Sequence, residues 1–190
     1  MKQGKFILVI GPTGSGKSML MKHAISLLPE LVIPYSYTTR PRRENIVENA
    51  HYKFISDEEF KGLIDTGAFL EWAQYSGHLY GTLRSEVEEQ LSSGRTLLKE
   101  VEVQGARQIR KLLPKDQLLT VFVSAGPWEG LEARIRARAP ITEEEIALRK
   151  QRYEDEITFM EEADACIENI EGHKEVANDA FITLIQSVLN

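Results

Sequence analysis

Eight residues near the start of the chain, Gly11-Pro12-Thr13-Gly14-Ser15-Gly16-Lys17-Ser18, follow the pattern G-x-x-x-x-G-K-[ST] at every fixed position. That spacing suits one task, holding the phosphates of a nucleoside triphosphate. Glycines let successive backbone N–H groups turn toward a single point, where they cradle anionic oxygens. A helix starting at the end of the loop adds free N–H groups and a positive dipole end aimed at the same anion. Lys17 brings a point charge for the β and γ phosphates, and the Ser18 hydroxyl is a ligand for Mg2+. The loop points to the phosphate donor and leaves the reaction open.

A second group of residues begins at Ser36. The run Ser36-Tyr37-Thr38-Thr39-Arg40-Pro41-Arg42-Arg43 places three arginines within four positions, with Pro41 stiffening the turn between them. His51-Tyr52, Glu71-Trp72 and Tyr80-Gly81-Thr82 follow. Arginine suits a two-pronged grip on phosphate. A carboxylate can accept two N–H donors from one edge of a purine, and tyrosines stack or donate. Composition alone leaves these residues open to a plainer reading, a solvated basic turn with Trp72 in the core. Farther on, residues 134–158 are highly charged and carry Arg134, Arg136, Arg138, Arg149 and Arg152.

The elements that must position these groups follow from periodicity. Lys5–Ile10 is a short, almost wholly apolar, β-branched run, as in a strand buried on both faces of a parallel sheet. Helix formers extend from Ser18 toward Pro29. Leu97–Val101 and Leu118–Val123 read as further strands, followed by helices over Gln104–Leu113 and Glu129–Arg138. Asp164–Asn169 reads as a last short strand and Glu175–Leu189 as a closing amphipathic helix. Strands alternating with helices predict a parallel sheet with helices on its faces. Residues 35–83 break the rhythm, with strand-like pieces at His51–Ile55 and Phe69–Tyr75, and predict an inserted mixed lobe.

Composition bounds the rest. A chain of 190 residues fits one domain, large enough to fold without staples. Its single cysteine excludes an intrachain disulfide framework and a cysteine-rich zinc site, and its four histidines lack metal-like spacing. Lys plus Arg number 23 against 29 Asp plus Glu, a net charge of −6, which argues against nucleic acid as a partner. No apolar run has the length of a membrane span or the flanks of a signal peptide, so a cytoplasmic location is expected. The acidic balance makes anion binding a matter of local cations.

The pieces GPTGSGKS, SYTTRPRR, HYKFIS, FLEWAQYSGHLYGT, EVEVQGARQIRK and the arginine-rich segment stand in the order and spacing of the guanylate kinases, which the chain resembles over essentially its whole length. The resemblance implies an α/β fold: a P-loop NTPase three-layer core with a parallel sheet (1–34, 84–128 and 159–190), a GMP-binding lobe (35–83) and a helical lid (129–158). It implies an Mg2+-dependent transfer of the ATP γ-phosphoryl group to GMP or dGMP. By the same resemblance, Gly11 through Ser18 and Asn169 bind ATP. Ser36, Arg40, Arg43, Tyr52 and Tyr80 hold the GMP phosphate. Glu71 and Thr82 read the guanine, Glu102 contacts guanine or organises magnesium, and Ser18 ligates it. Lys17, Arg43, Arg138 and Arg149 are the catalytic cations.

The chain departs from the family pattern in four places. Glu102 stands where Asp is usual, one methylene longer. Lys99 occupies an aliphatic position of a central strand and must snorkel out or find a carboxylate. Ala139-Pro140 replaces a glycine-containing turn in the lid, and His51 precedes Tyr52 where an acid is frequent. Two alternatives follow from related chains: a kinase of another phosphorylated acceptor, which need not keep Glu71, Tyr80 and Thr82, and a non-catalytic binding module, which typically loses the glycine loop or lid residues. Monomer and homodimer are both left open.

Overall fold

The computed structural model describes residues 3–42, 50–138 and 140–189, with the Arg138 side chain left aside. Arg43 and Ala139 therefore lie outside the described residues. The chain divides into two compact units, one comprising residues 1–7 and 30–118, the other residues 8–29 and 119–190.

A four-stranded sheet has the order β6-β1-β7-β8, formed by β1 (Phe6–Ile10), β6 (Leu97–Glu100), β7 (Leu118–Ser124) and β8 (Ala165–Glu168). β7 and β8 run parallel, from Val121 opposite Ala165 to Ser124 opposite Glu168. β1 is buried along its whole length, which explains its unbroken apolar sequence: both faces are covered, so no position can be polar. Val32 adds one parallel bridge to Leu97. The expected strands at 97–101, 118–123 and 164–169 are thus present to within a residue at each end.

In the second unit, helix α1 (Lys17–Leu27) packs on α7 (Lys174–Leu189), which buries Ala177, Phe181 and Ile185 at the helical spacing of one face. Helices α5 (Trp128–Arg138) and α6 (Glu143–Ile157) share a small core of Trp128, Leu131, Ile135 and Ile146, with Tyr153 against Trp128. Thr142 caps α6 and accepts from the Glu145 backbone N–H, while the Glu145 side chain accepts from the Thr142 N–H.

The first unit holds a mixed sheet in the order β3-β2-β5-β4. Its strands are β2 (Ser36–Thr38), β3 (Tyr52–Phe54), β4 (Phe69–Tyr75) and β5 (His78–Leu83). β2 and β3 are parallel, and the other two pairings are antiparallel. The β4–β5 hairpin turns at Ser76 and Gly77, both with positive φ (49° and 81°), the mirror-image turn that matches strand twist. Helix α2 (Asp57–Asp65) starts with a Ser56–Glu59 capping box and places Phe60 in a stack on Phe69. Helices α3 (Arg84–Ser92) and α4 (Val103–Leu112) complete the unit, and α4 packs against β4. Neither α2 nor α3 stood out in the sequence, because turn residues and charges mask their short apolar faces.

Candidate active site

The glycine loop is built as its spacing demands. Gly11, Gly14 and Gly16 have φ of 143°, 91° and 97°, a region closed to most side chains. A Cβ on Gly11 would also run into the Val123 carbonyl, and one on Gly16 into the Asn169 amide. The loop closes on itself through Ser15 N–H to the Pro12 carbonyl, 3.0 Å. Lys17 is buried at the first position of α1, and its Nζ donates to the Gly11 (2.5 Å) and Pro12 (3.1 Å) carbonyls. Ser18 is exposed one residue on. Among the described residues the Ser15 hydroxyl is buried with no hydrogen-bond partner, a donor of the kind that a phosphate oxygen would satisfy.

Asn169 sits just past β8 and is 3% exposed. Its Nδ2 donates to the Ser15 carbonyl at 2.6 Å, its N–H donates to Ser124, and its carbonyl accepts from Arg134. Its amide group therefore acts on the loop backbone. Among the five lid arginines, Arg134 also pairs with Glu171 at 3.0 Å. Arg136 forks onto Glu143, 2.8 Å on each prong, and joins α5 to α6. Arg149 is half-buried on α6, and no hydrogen bond or ion pair holds it among the described residues.

The mixed sheet of the first unit brings together residues far apart in sequence. Ser36 lies opposite Tyr52, Thr38 opposite Tyr80, and Glu71 opposite Thr82. The Arg40 guanidinium stands 5.4 Å from the Tyr52 ring centre, and Tyr52 meets Tyr80 edge-on at 6.4 Å. Among the described residues, Arg40 Nη1 is buried with no hydrogen-bond partner. Of the residues expected at the acceptor phosphate, Arg43 alone lies outside the described residues.

The other half of this site is inverted relative to an ordinary strand. In β4, Glu71 and Ala73 are buried while Trp72 is 38% exposed. The reading of Trp72 as core is thus wrong: strand alternation sends it outward because Glu71 takes the inward position. A register shift between Phe69 and Glu71 marks a bulge at Leu70, and Thr82 ends up directly across from Glu71. The buried Thr82 hydroxyl donates to Glu71 Oε1. Burial raises the Glu71 carboxyl above the ordinary glutamate value, while the Lys99 charge and the Thr82 hydrogen bond pull it back down. A buried carboxylate with one oxygen so engaged can still accept from a planar pair of N–H donors.

Lys99 does not snorkel. It is 4% exposed, and its Nζ donates to the Pro34 and Tyr35 carbonyls (3.2 Å each) and to Ser36 Oγ (2.7 Å). Glu102 is the N-cap residue of α4, half-buried, and its side chain makes no capping bond to that helix.

Two residues with a part in this site were missed from sequence. Gly105 lies inside α4, where a Cβ would stand 2.6 Å from Glu71 Oε2. Gln108, one turn on, donates from Nε2 to the Trp72 carbonyl (2.7 Å) and accepts the Trp72 N–H at Oε1 (3.2 Å). The available signal was the helix glycine itself. It costs about 1 kcal/mol against alanine and so marks a close approach.

Among the described residues no cluster of His, Cys, Asp and Glu could hold a metal by itself, and no helix is long and apolar enough to cross a membrane.

Known proteins give a consistent comparison. The guanylate kinase family model matches residues 3–178. The chain is 43% identical over 169 residues to the guanylate kinase of Synechococcus elongatus, covering 89% of this chain and 91% of the relative. It is 41% identical to that of Prochlorococcus marinus over 167 residues, 88% and 87% of the two chains. With the guanylate kinase of Rubrobacter xylanophilus it shares 37% over 189 residues, 100% and 97% of the two. The crystal structure of guanylate kinase from Anaplasma phagocytophilum superimposes with a TM-score of 0.75 at 24% identity, over 98% of this chain and 86% of that one, which shows the common fold. A family match across nearly the whole chain, with relatives above 40% identity, places this protein in the guanylate kinase family.

Proposed function

We propose that the chain transfers the γ-phosphoryl group of ATP to GMP, giving ADP and GDP, with the acceptor read by Glu71 and Thr82 and its phosphate held by Ser36, Arg40, Arg43, Tyr52 and Tyr80. The observation that carries the assignment is the buried Glu71 carboxylate, bonded by Thr82 on one oxygen and close-packed against Gly105 on the other.

Guanine offers its N1 and N2 hydrogens to such a carboxylate, and its O6 to a hydroxyl. Adenine offers an N1 lone pair, which leaves the buried charge unpaired at a cost of several kcal/mol, on the order of a thousandfold or more in selectivity. The Arg40 guanidinium, with its unpartnered Nη1, supplies charge for the acceptor phosphate. On the donor side the glycine loop, with the buried Ser15 hydroxyl, and Lys17 hold the ATP phosphates. Ser18, assisted by Glu102 through water, would hold Mg2+, and the ion would supply charge neutralisation at the phosphates.

Phosphoryl transfer asks the protein for alignment and charge neutralisation more than for bond-making groups. Arg138 and Arg149 neutralise the charge on the moving group as lid residues 129–158 close. Closure of the lid excludes water that would otherwise hydrolyse ATP. The test is ADP release with GMP, dGMP, AMP, CMP and UMP as acceptors. GMP and dGMP are expected to dominate, and Glu71→Gln to lose that preference while ATP binding persists. Absence of GMP-dependent turnover refutes the assignment.

A further inference from the structure

Lys99 is a charged side chain where the strand calls for an aliphatic one. Its neighbours in β6, Leu97 and Leu98, are fully buried, and burying an ammonium among them costs several kcal/mol unless its donors are met. They are met completely: three N–H donors face three acceptors, the Pro34 and Tyr35 carbonyls and Ser36 Oγ. An ammonium has no lone pair, so the Ser36 hydroxyl can only accept from it. The Ser36 proton must then point away from Lys99.

We infer that Lys99 is a positioning residue of the acceptor site: its ammonium fixes the Ser36 hydroxyl as a donor toward the acceptor's phosphate. This rests on the acceptor-site reading given above.

Two observations support it beyond the three hydrogen bonds. The carboxylates whose charges act on Lys99 are Glu71 from β4 and Glu86 from α3. Glu86 is already engaged, by Lys53 at 2.6 Å and by the Tyr37 hydroxyl at 2.9 Å, which leaves Glu71 as the partner without another cation among those bonds. Burial lowers Lys99 to about 8 despite both carboxylates, so the cation is present at neutral pH and is lost in mildly alkaline solution. A neutral amine has two donors for three acceptors and a lone pair of its own, so it would accept a hydrogen bond from the Ser36 O–H and turn that hydroxyl away from the phosphate.

The experiment compares wild type, Lys99→Met and Lys99→Arg in steady-state kinetics with GMP and ATP from pH 5.5 to 9.5. Lys99→Met is expected to raise KM for GMP about tenfold, the scale of one charged hydrogen bond, with KM for ATP unchanged. It should also move the acid limb of kcat/KM for GMP to higher pH, because Glu71 loses its cation, a shift that a purely structural loss would not produce. Lys99→Arg should restore most of both. In the wild type, KM for GMP should rise as pH passes through about 8, and Ser36→Ala should abolish that rise. These last two measurements decide the matter should Lys99→Met fail to fold. An unchanged GMP KM and acid limb in folded Lys99→Met, or no GMP-specific rise in the wild type, overturns the inference alone. A wild type that does not turn over GMP overturns the acceptor reading as well, and it does so without any substitution.

Discussion

Replacing Gly105 with alanine sets helix stability against acceptor recognition. The new methyl would stand 2.6 Å from Glu71 Oε2 and 3.3 Å from its Cδ. Non-bonded heavy atoms rest near 3.5 Å, so the carboxylate must retreat by about 0.9 Å. It has little room to do so, because Oε1 is held by the Thr82 hydroxyl and the side chain is buried. A shift of that size spoils one of the two N–H···O bonds offered to guanine. Hydrogen bonds to a charged group contribute about 1.5–3 kcal/mol, which converts to a roughly ten- to hundredfold loss in kcat/KM for GMP. The helix itself gains from the change, since alanine exceeds glycine by about 1 kcal/mol inside a helix, which offsets much of the clash. Gly105→Ala should therefore keep a near wild-type melting temperature and KM for ATP while losing GMP. The assay is ADP release with GMP titrated at saturating ATP, alongside thermal denaturation. A variant with wild-type KM for GMP would refute the placement of Glu71 at the guanine edge.

Three further outcomes are expected. Gly16→Ala forces a side chain into φ 97° and against Asn169, and should abolish ATP binding by calorimetry and lower the melting temperature, whereas Asn169→Ala, which only unties the Ser15 carbonyl, should weaken ATP about tenfold and leave GMP binding unchanged. Burial raises Glu71 above the ordinary glutamate value of 4.5, and its protonated form cannot accept both guanine hydrogens, so kcat/KM for GMP should fall as pH drops through that raised value, with Glu71→Gln removing this limb from the pH profile.

Much of this was legible in the residues. The glycine loop could be read because its chemistry is local: eight consecutive positions whose backbone geometry is fixed by residue type. The apolar runs of β1 and β7 announced buried strands for the same reason. The residues proposed for the acceptor were legible only as a resemblance, since Ser36 and Tyr52, and Glu71 and Thr82, are paired through strand register, and register is a long-range outcome. Trp72 shows the limit of residue-type reasoning. Hydrophobicity sends a tryptophan inward, but alternation allows one of Glu71 and Trp72 inside, and the bulge at Leu70 settled it. Lys99 was recognisable as an anomaly, yet its partners are mainly backbone carbonyls, which have no signature in a sequence.

Gln108 has a consequence for how the molecule behaves among its own copies. β4 is an edge strand of the mixed sheet, and an open edge is a template on which another chain can add a strand. The Gln108 amide occupies both backbone groups of Trp72, as a neighbouring strand would, and does so beside an exposed indole that would otherwise favour sticking. Because it reads main chain and no side chain, this plug works whatever residue stands at position 72. The same glutamine that fixes α4 along β4 therefore also closes that stretch of the sheet edge to an added strand.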